Sequence, residues 1–314
     1  MTRIWIWGVA LVFLGAGVRV QAAPIQVRAP DGNLSLRLEI DHHLDRGSAW
    51  LRKRQDPARG GWGEGRVLET TALVLTVLMG NNNGSTRDLD PGLAQGYEFL
   101  TSRLVAGRTN EGKAASKQEW MWALPALFFL EQRPEIRELI RQGIARLSDS
   151  EPLSSWEDEF RRIEVLQTAC VLNLAGERFG ATPFRAERPI DPAGQVRFRY
   201  LEGVLLSWRE NGKKTGLESW RTWAKAAFAQ DLKSTDVRLL EAMAKGLVAA
   251  RLDRVTDGRG GEVDWREKLA VRLFDLQRRD GSWAGEIPAA ETPEDDMMIT
   301  CHAILALQIL VKSL

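Results

Sequence analysis

The sequence predicts an all-α fold, an α/α toroid: a closed ring of about six helical hairpins with outer and inner helices. Three observations predict it. Apolar residues recur with helical periodicity along nearly the whole chain, while clean strand alternation is almost absent. In successive helix pairs one member is charged along one surface and its partner is apolar nearly all round. A short pattern of glutamine, glycine and tryptophan stands near both ends of the chain.

The first residues are expected to be an address. Arg3 is a basic start, 4–18 is an apolar run too short to span a bilayer comfortably, and Val20-Gln21-Ala22 suits signal peptidase. Residues 1–22 are therefore read as a signal peptide, 23–40 as an N-terminal extension and 41–314 as a single toroid domain. The mature protein is expected to be exported, to a periplasm or to the outside of the cell.

Helices are predicted at about 41–54, 67–79, 91–104, 117–130, 134–147, 157–174, 198–208, 217–230, 235–251, 263–278 and 295–311. Helix 41–54 places Arg46, Arg52, Lys53 and Arg54 on one surface and Leu44, Trp50 and Leu51 toward a core, which makes it an outer helix. Helix 67–79 is apolar on every side and reads as inner. Charged 134–147 and apolar 166–172 repeat that contrast, as do charged 265–278 and apolar 297–311. The runs 81–85 and 257–261 are turns by composition, and proline-rich 180–194 reads as an irregular excursion. Trp62, Trp156 and Trp283 each sit between an outer and an inner helix, and their spacings fit periods of about 42 to 47 residues. Six such units fill the chain.

Charge sets limits on partners. Lys and Arg number 43 and Asp and Glu 42, so no global field gathers polyanions, and nucleic acid is excluded as a partner. Two cysteines, Cys170 and Cys301, allow one disulfide at most.

The terminal pattern carries a name. Arg46-Gly47, Trp50-Leu51, Gln55 and Gly60-Gly61-Trp62 resemble the QW motif of squalene and oxidosqualene cyclases, in the terpenoid cyclase/protein prenyltransferase superfamily. Gln277-Arg278-Arg279-Asp280-Gly281-Ser282-Trp283 resembles its core, with Arg272 where the motif has an aromatic residue. The resemblance implies a structural role for Trp50, Gln55, Trp62, Gln277 and Trp283. The tryptophan packs on the neighbouring unit, and the glutamine bonds backbone groups that helix ends leave unpaired.

Pro293-Glu294-Asp295-Asp296 opens the last inner helix. Squalene-type cyclases protonate substrate with an Asp of an Asp-x-Asp-Asp motif, so the resemblance implies Asp295 and Asp296 as catalytic candidates. This chain lacks the first Asp and the second helical domain of those enzymes. Acids at a helix N-terminus also stabilise it by about 0.3–1 kcal/mol each, a purely structural alternative. Glu69, Glu157-Asp158-Glu159 and Asp236 open other inner helices, so carboxylates are expected to ring one mouth of a central cavity. Trp120, Trp122, Phe128, Asp236 and His302 are the candidate cavity residues. His302 lies two turns after Asp295 on about the same face, and pairs either with it or with another polar neighbour. His42 and His43 are expected to face solvent.

Prenyltransferases hold zinc through Asp, Cys and His, but adjacent Cys301 and His302 diverge by about 100° on a helix and suit one ion poorly. No metal and no cofactor is called for. The leading expectation is an exported, squalene-cyclase-like protein that binds a hydrophobic, isoprenoid-like ligand or a protein partner in its central cavity. Catalysis is left open, and peripheral contact with a membrane is compatible. One alternative is a terpene cyclase using Asp295 and Asp296. The other is a carbohydrate-active lyase or hydrolase, with Glu157 or Asp158 facing Asp296 across the cup.

Overall fold

The computed structural model describes residues 31–81, 89–105, 115–148, 155–172, 174, 192–208, 215–285 and 293–314. The expected signal peptide lies outside them, as does most of 180–194. The described chain is all-helical apart from one hairpin. Its helices are α1 (Asp31–Arg52), α2 (Val67–Asn81), α3 (Pro91–Val105), α4 (Lys117–Phe128), α5 (Pro134–Ser148) and α6 (Trp156–Val171). They continue as α7 (Pro192–Trp208), α8 (Thr215–Asp231), α9 (Val237–Ala249), α10 (Trp265–Leu276) and α11 (Pro293–Ser313). Strands β1 (Arg254–Thr256) and β2 (Glu262–Asp264) pair antiparallel between α9 and α10.

The helix starts are chemically marked. Pro91, Pro134, Pro192 and Pro293 each open a helix, where the missing N–H is not needed and the fixed φ fits. Ser116 and Glu119 form a reciprocal capping box on α4. Ser155, Asp236 and Asp264 cap α6, α9 and α10 with side-chain oxygens that accept backbone N–H groups.

Three expectations change. Residues 31–40, read as part of an N-terminal extension before a helix starting at about 41, are the first turns of α1. Leu34 and Leu38 are exposed there, so little apolar periodicity announces the helix. Helix α7 begins at Pro192, inside the stretch read as an excursion, because proline is a helix opener there. The turn 257–261 closes a real hairpin: Asp257 accepts the backbone N–H groups of Arg259 and Gly261 at 2.9 and 2.7 Å. Strands of three residues are too short to show alternation.

Packing follows the contrast between apolar and charged helices. α2 packs on α4, α4 on α6, α6 touches α7, α7 lies along α9, and α9 packs on α11. α11 in turn packs on α2 and α1. The more polar helices flank this series: α1 against α2, α10 and α11, α3 against α2 and α5, α5 against α4 and α6, α8 against α7, and α10 against α9 and α11. Among the described residues no helix intervenes between α6 and α7. An 18-residue window of α11, from Asp296 to Ser313, is long and apolar enough to cross a membrane, but 67% of it is buried in the core. Cys170 and Cys301 are free thiols, and burial pushes the Cys301 thiol up.

The two glutamine–tryptophan turns share one geometry. Trp62 Nε1 donates to Leu51 O at 2.7 Å and Trp283 Nε1 to Leu273 O at 2.7 Å, each tying the turn to the preceding helix. Their backbone N–H groups donate to Thr71 and Thr300 of the following helix at 2.8 and 3.2 Å. Gln55 Nε2 donates to Gly60 O and reaches Gly92 O of α3 at 2.7 Å, while Gln277 Nε2 donates to Gly281 O and reaches His43 O of α1 at 3.0 Å. Four residues past each reached carbonyl stands a glycine against the tryptophan ring. A Cβ on Gly96 would come within 2.8 Å of Trp62, and one on Gly47 within 2.5 Å of Trp283. The last turn thus grips α1 in the register with which the first turn grips α3. Arg46 donates to the carbonyls of Arg278 and Arg279, and Trp50 Nε1 donates to Asp280 at 3.0 Å. These tryptophans are fully buried, worth about 3–5 kcal/mol each against alanine.

Candidate functional site

Of the acids expected to ring a mouth, Glu157, Glu159, Asp236 and Asp296 are engaged with neighbouring cations or a helix end. Glu159 is buried and held in two bonds by Arg162, whose guanidinium also donates to Leu147 O. Glu157 pairs with Arg197 at 2.8 Å. Asp236 caps α9 and lies 3.8 Å from Arg197 and 3.4 Å from Arg238. Asp296 pairs with Arg278 at 2.9 Å, part-exposed, and does not line the cavity described below. The side chain of Asp295 lies outside the described residues. Glu157 is thus paired with Arg197 and Asp296 with Arg278.

The cavity lies between α2, α4, α6, α9 and α11, with a volume of about 110 Å³. Each helix gives a stripe at helical spacing. Leu73, Thr76 and Gly80 come from α2, Trp122, Pro125 and Phe128 from α4, with Phe129 just beyond its end. Leu305, Gln308, Ile309 and Lys312 come from α11, Arg161, Glu164 and Val165 from α6, and Glu241 and Lys245 from α9. Gln308 is fixed by bonds to Val77 O and Asn81 Oδ1, both at 2.8 Å. The remaining wall is mostly apolar.

One side of the wall carries a buried ion cluster. Lys245 Nζ sits 3.0 Å from Glu164 and 2.9 Å from Glu241, its i,i+4 neighbour on α9. The other Glu241 oxygen bonds His302 Nδ1. Burial opposes ionisation of Glu241, but Lys245 and His302 outweigh it and hold the carboxyl well below the usual carboxylate range. Burial likewise disfavours the Lys245 ammonium, and Glu164 and Glu241 more than offset that, so its pKa is raised.

Two further cations face the cavity outside that cluster. The Arg161 guanidinium stacks 3.5 Å from the centroid of the Trp122 ring. Lys312, mostly buried near the end of α11, has no ion pair among the described residues, and desolvation alone pulls its amine down to about 8. Trp122 Nε1 is buried without a hydrogen-bond acceptor among the described residues.

The predicted cavity residues divide accordingly. Trp122 and Phe128 line the cavity, and His302 backs it through Glu241 rather than pairing with Asp295. Trp120 does not line it. That ring is buried between α4 and α5 against Gly143, because residues two apart on a helix face different ways. Asp236 is a cap. His43 is not solvated: it stacks on Phe274 at 4.0 Å and bonds Gln277, and burial lowers its pKa. No cluster of three metal-ligating side chains occurs among the described residues. Arg161, Glu164, Glu241, Lys245 and Lys312 were not anticipated. Of these, Glu241 and Lys245 carry a signal legible afterwards, as opposite charges at i,i+4 spacing on a helix that is otherwise largely apolar.

No family model, curated protein or solved structure matches this chain.

Proposed function

We propose that this is an exported α/α toroid, squalene-cyclase-like in its repeated turns, that binds a small hydrophobic molecule in the cavity between its inner helices. Closure of the ring is supported by the register shared by the two terminal turns: Gln277 and Trp283 engage α1 as Gln55 and Trp62 engage α3. In this reading α2, α4, α6, α7, α9 and α11 are the inner helices, and α7 has no outer partner preceding it among the described residues. The observation that carries the binding role is the cavity itself, an apolar cup whose few polar groups converge from several helices. Its volume of about 110 Å³ suits a body near the size of one aromatic ring, since an engineered apolar cavity of about 150 Å³ holds benzene. A long polyene needs several times that space, and Asp296 is paired with Arg278, so nothing among the described residues favours cyclisation.

The test is to denature the protein purified from its own host and analyse what it releases by mass spectrometry. One small, largely apolar compound in near-stoichiometric amount is the expected outcome. An extract indistinguishable from that of a control protein would overturn the reading.

A further inference from the structure

We propose that the cavity takes a small carboxylate with an apolar body, its anionic end recognised by Lys312 and Arg161. This rests on the reading of the cavity as a binding site and specifies the ligand's chemistry.

The argument is one of unmatched donors. The groups with charge on the cavity wall are Arg161 and Glu164 from α6, Glu241 and Lys245 from α9, and Lys312 from α11. α2 and α4 contribute none. Both acids are already committed, Glu164 to Lys245 and Glu241 to Lys245 and His302. Arg161 and Lys312 therefore have no counter-ion on the wall. Arg161 has the Trp122 face as its contact, and the nearby half-buried Glu69 influences it without reaching ion-pair distance. Trp122 Nε1 adds a third donor that lacks an acceptor among the described residues. A wall with two spare cations and a spare N–H, set among Leu73, Phe128, Leu305 and Ile309, complements one anionic acceptor on an apolar body.

The charge and the size narrow the class. Arginine matches a carboxylate with two parallel bonds. A phosphate is more strongly hydrated and would lose more on entering so apolar a cup. With room for about one ring, the fitting ligand is an aromatic or branched monocarboxylate rather than a long-chain fatty acid. The empty site holds Lys312 partly neutral near pH 8, and an anion beside it restores the ammonium. Binding should take up a proton at that pH.

The probes are benzoate and its uncharged counterpart toluene, titrated calorimetrically into the full protein, with Lys312→Met and Arg161→Met as variants. Benzoate is expected to bind about tenfold to a hundredfold tighter than toluene, the scale of a charge-assisted hydrogen bond. That preference should vanish in Lys312→Met and shrink in Arg161→Met, while toluene binding persists in both. At pH 8 the benzoate heat should vary with buffer ionisation enthalpy in the wild type and in Arg161→Met, which keep Lys312, and not in Lys312→Met. Equal affinities for the two probes, or a preference kept by Lys312→Met, would overturn the carboxylate and leave the hydrophobic cavity standing. Binding of neither probe would overturn both readings.

Discussion

Lys245 and Lys312 line the same cavity, one from the middle of α9 and the other from the end of α11. Burial penalises both ammonium groups. Around Lys245 the fold supplies Glu164 and Glu241, and the pKa rises; around Lys312 it supplies none among the described residues, and the pKa falls to about 8. The contrast separates a charge that holds the structure together from one that the folded state keeps at a cost. Such a cost is retained where the charge has something else to meet.

The largest expected effect comes from breaking the satisfied side. Lys245→Met leaves Glu164 and Glu241 buried without their shared cation and is expected to destabilise by about 3–5 kcal/mol in urea unfolding. Replacing all three by apolar residues should cost much less, which would separate broken pairing from lost packing.

The opposite sign is expected at Lys312. Lys312→Met should stabilise the unliganded protein by about 2–3 kcal/mol at pH 7, the order of its pKa displacement. The folded state releases the Lys312 proton near pH 8, before the unfolded chain does so near the ordinary lysine value of 10.5. Wild-type stability therefore gains on the variant as pH rises through that window, and the gap between them should close by its upper end. A gap independent of pH would mean that Lys312 is not a buried, unpaired charge.

The smallest effect tests the rim. Asp296→Asn removes a part-exposed ion pair with Arg278, and stability should change by at most about 1 kcal/mol. Ligand release from the variant should match wild type. A loss of binding would return Asp296 to the site and remove the distinction between rim and cavity.

Much of the helical framework was legible because its signals are local. Proline and capping residues mark where helices open, and the all-apolar run 67–79 has no stable place except inside. Trp62 and Gln55 disclosed a buried turn because a tryptophan and a glutamine at fixed spacing answer unpaired groups of the same turn. The acids at helix starts were equally visible, yet their cavity role was not borne out for Asp236, Glu157 or Asp296. Arg197 and Arg278 come from other places in the chain to occupy them, and no spacing rule foretells that.

The sequence by itself determined that the chain is helical, where most helices begin, and which of them are apolar enough to be inside. Periodicity and capping act within a turn or two, so one strand of text suffices to read them. Only the tertiary structure decided that Glu241 answers His302 across 61 residues and Lys245 answers Glu164 across 81. It also decided that Lys312 has no counter-ion among the described residues. Charge balance in a buried space depends on which helices face each other, and that is set by packing rather than by neighbours in the chain.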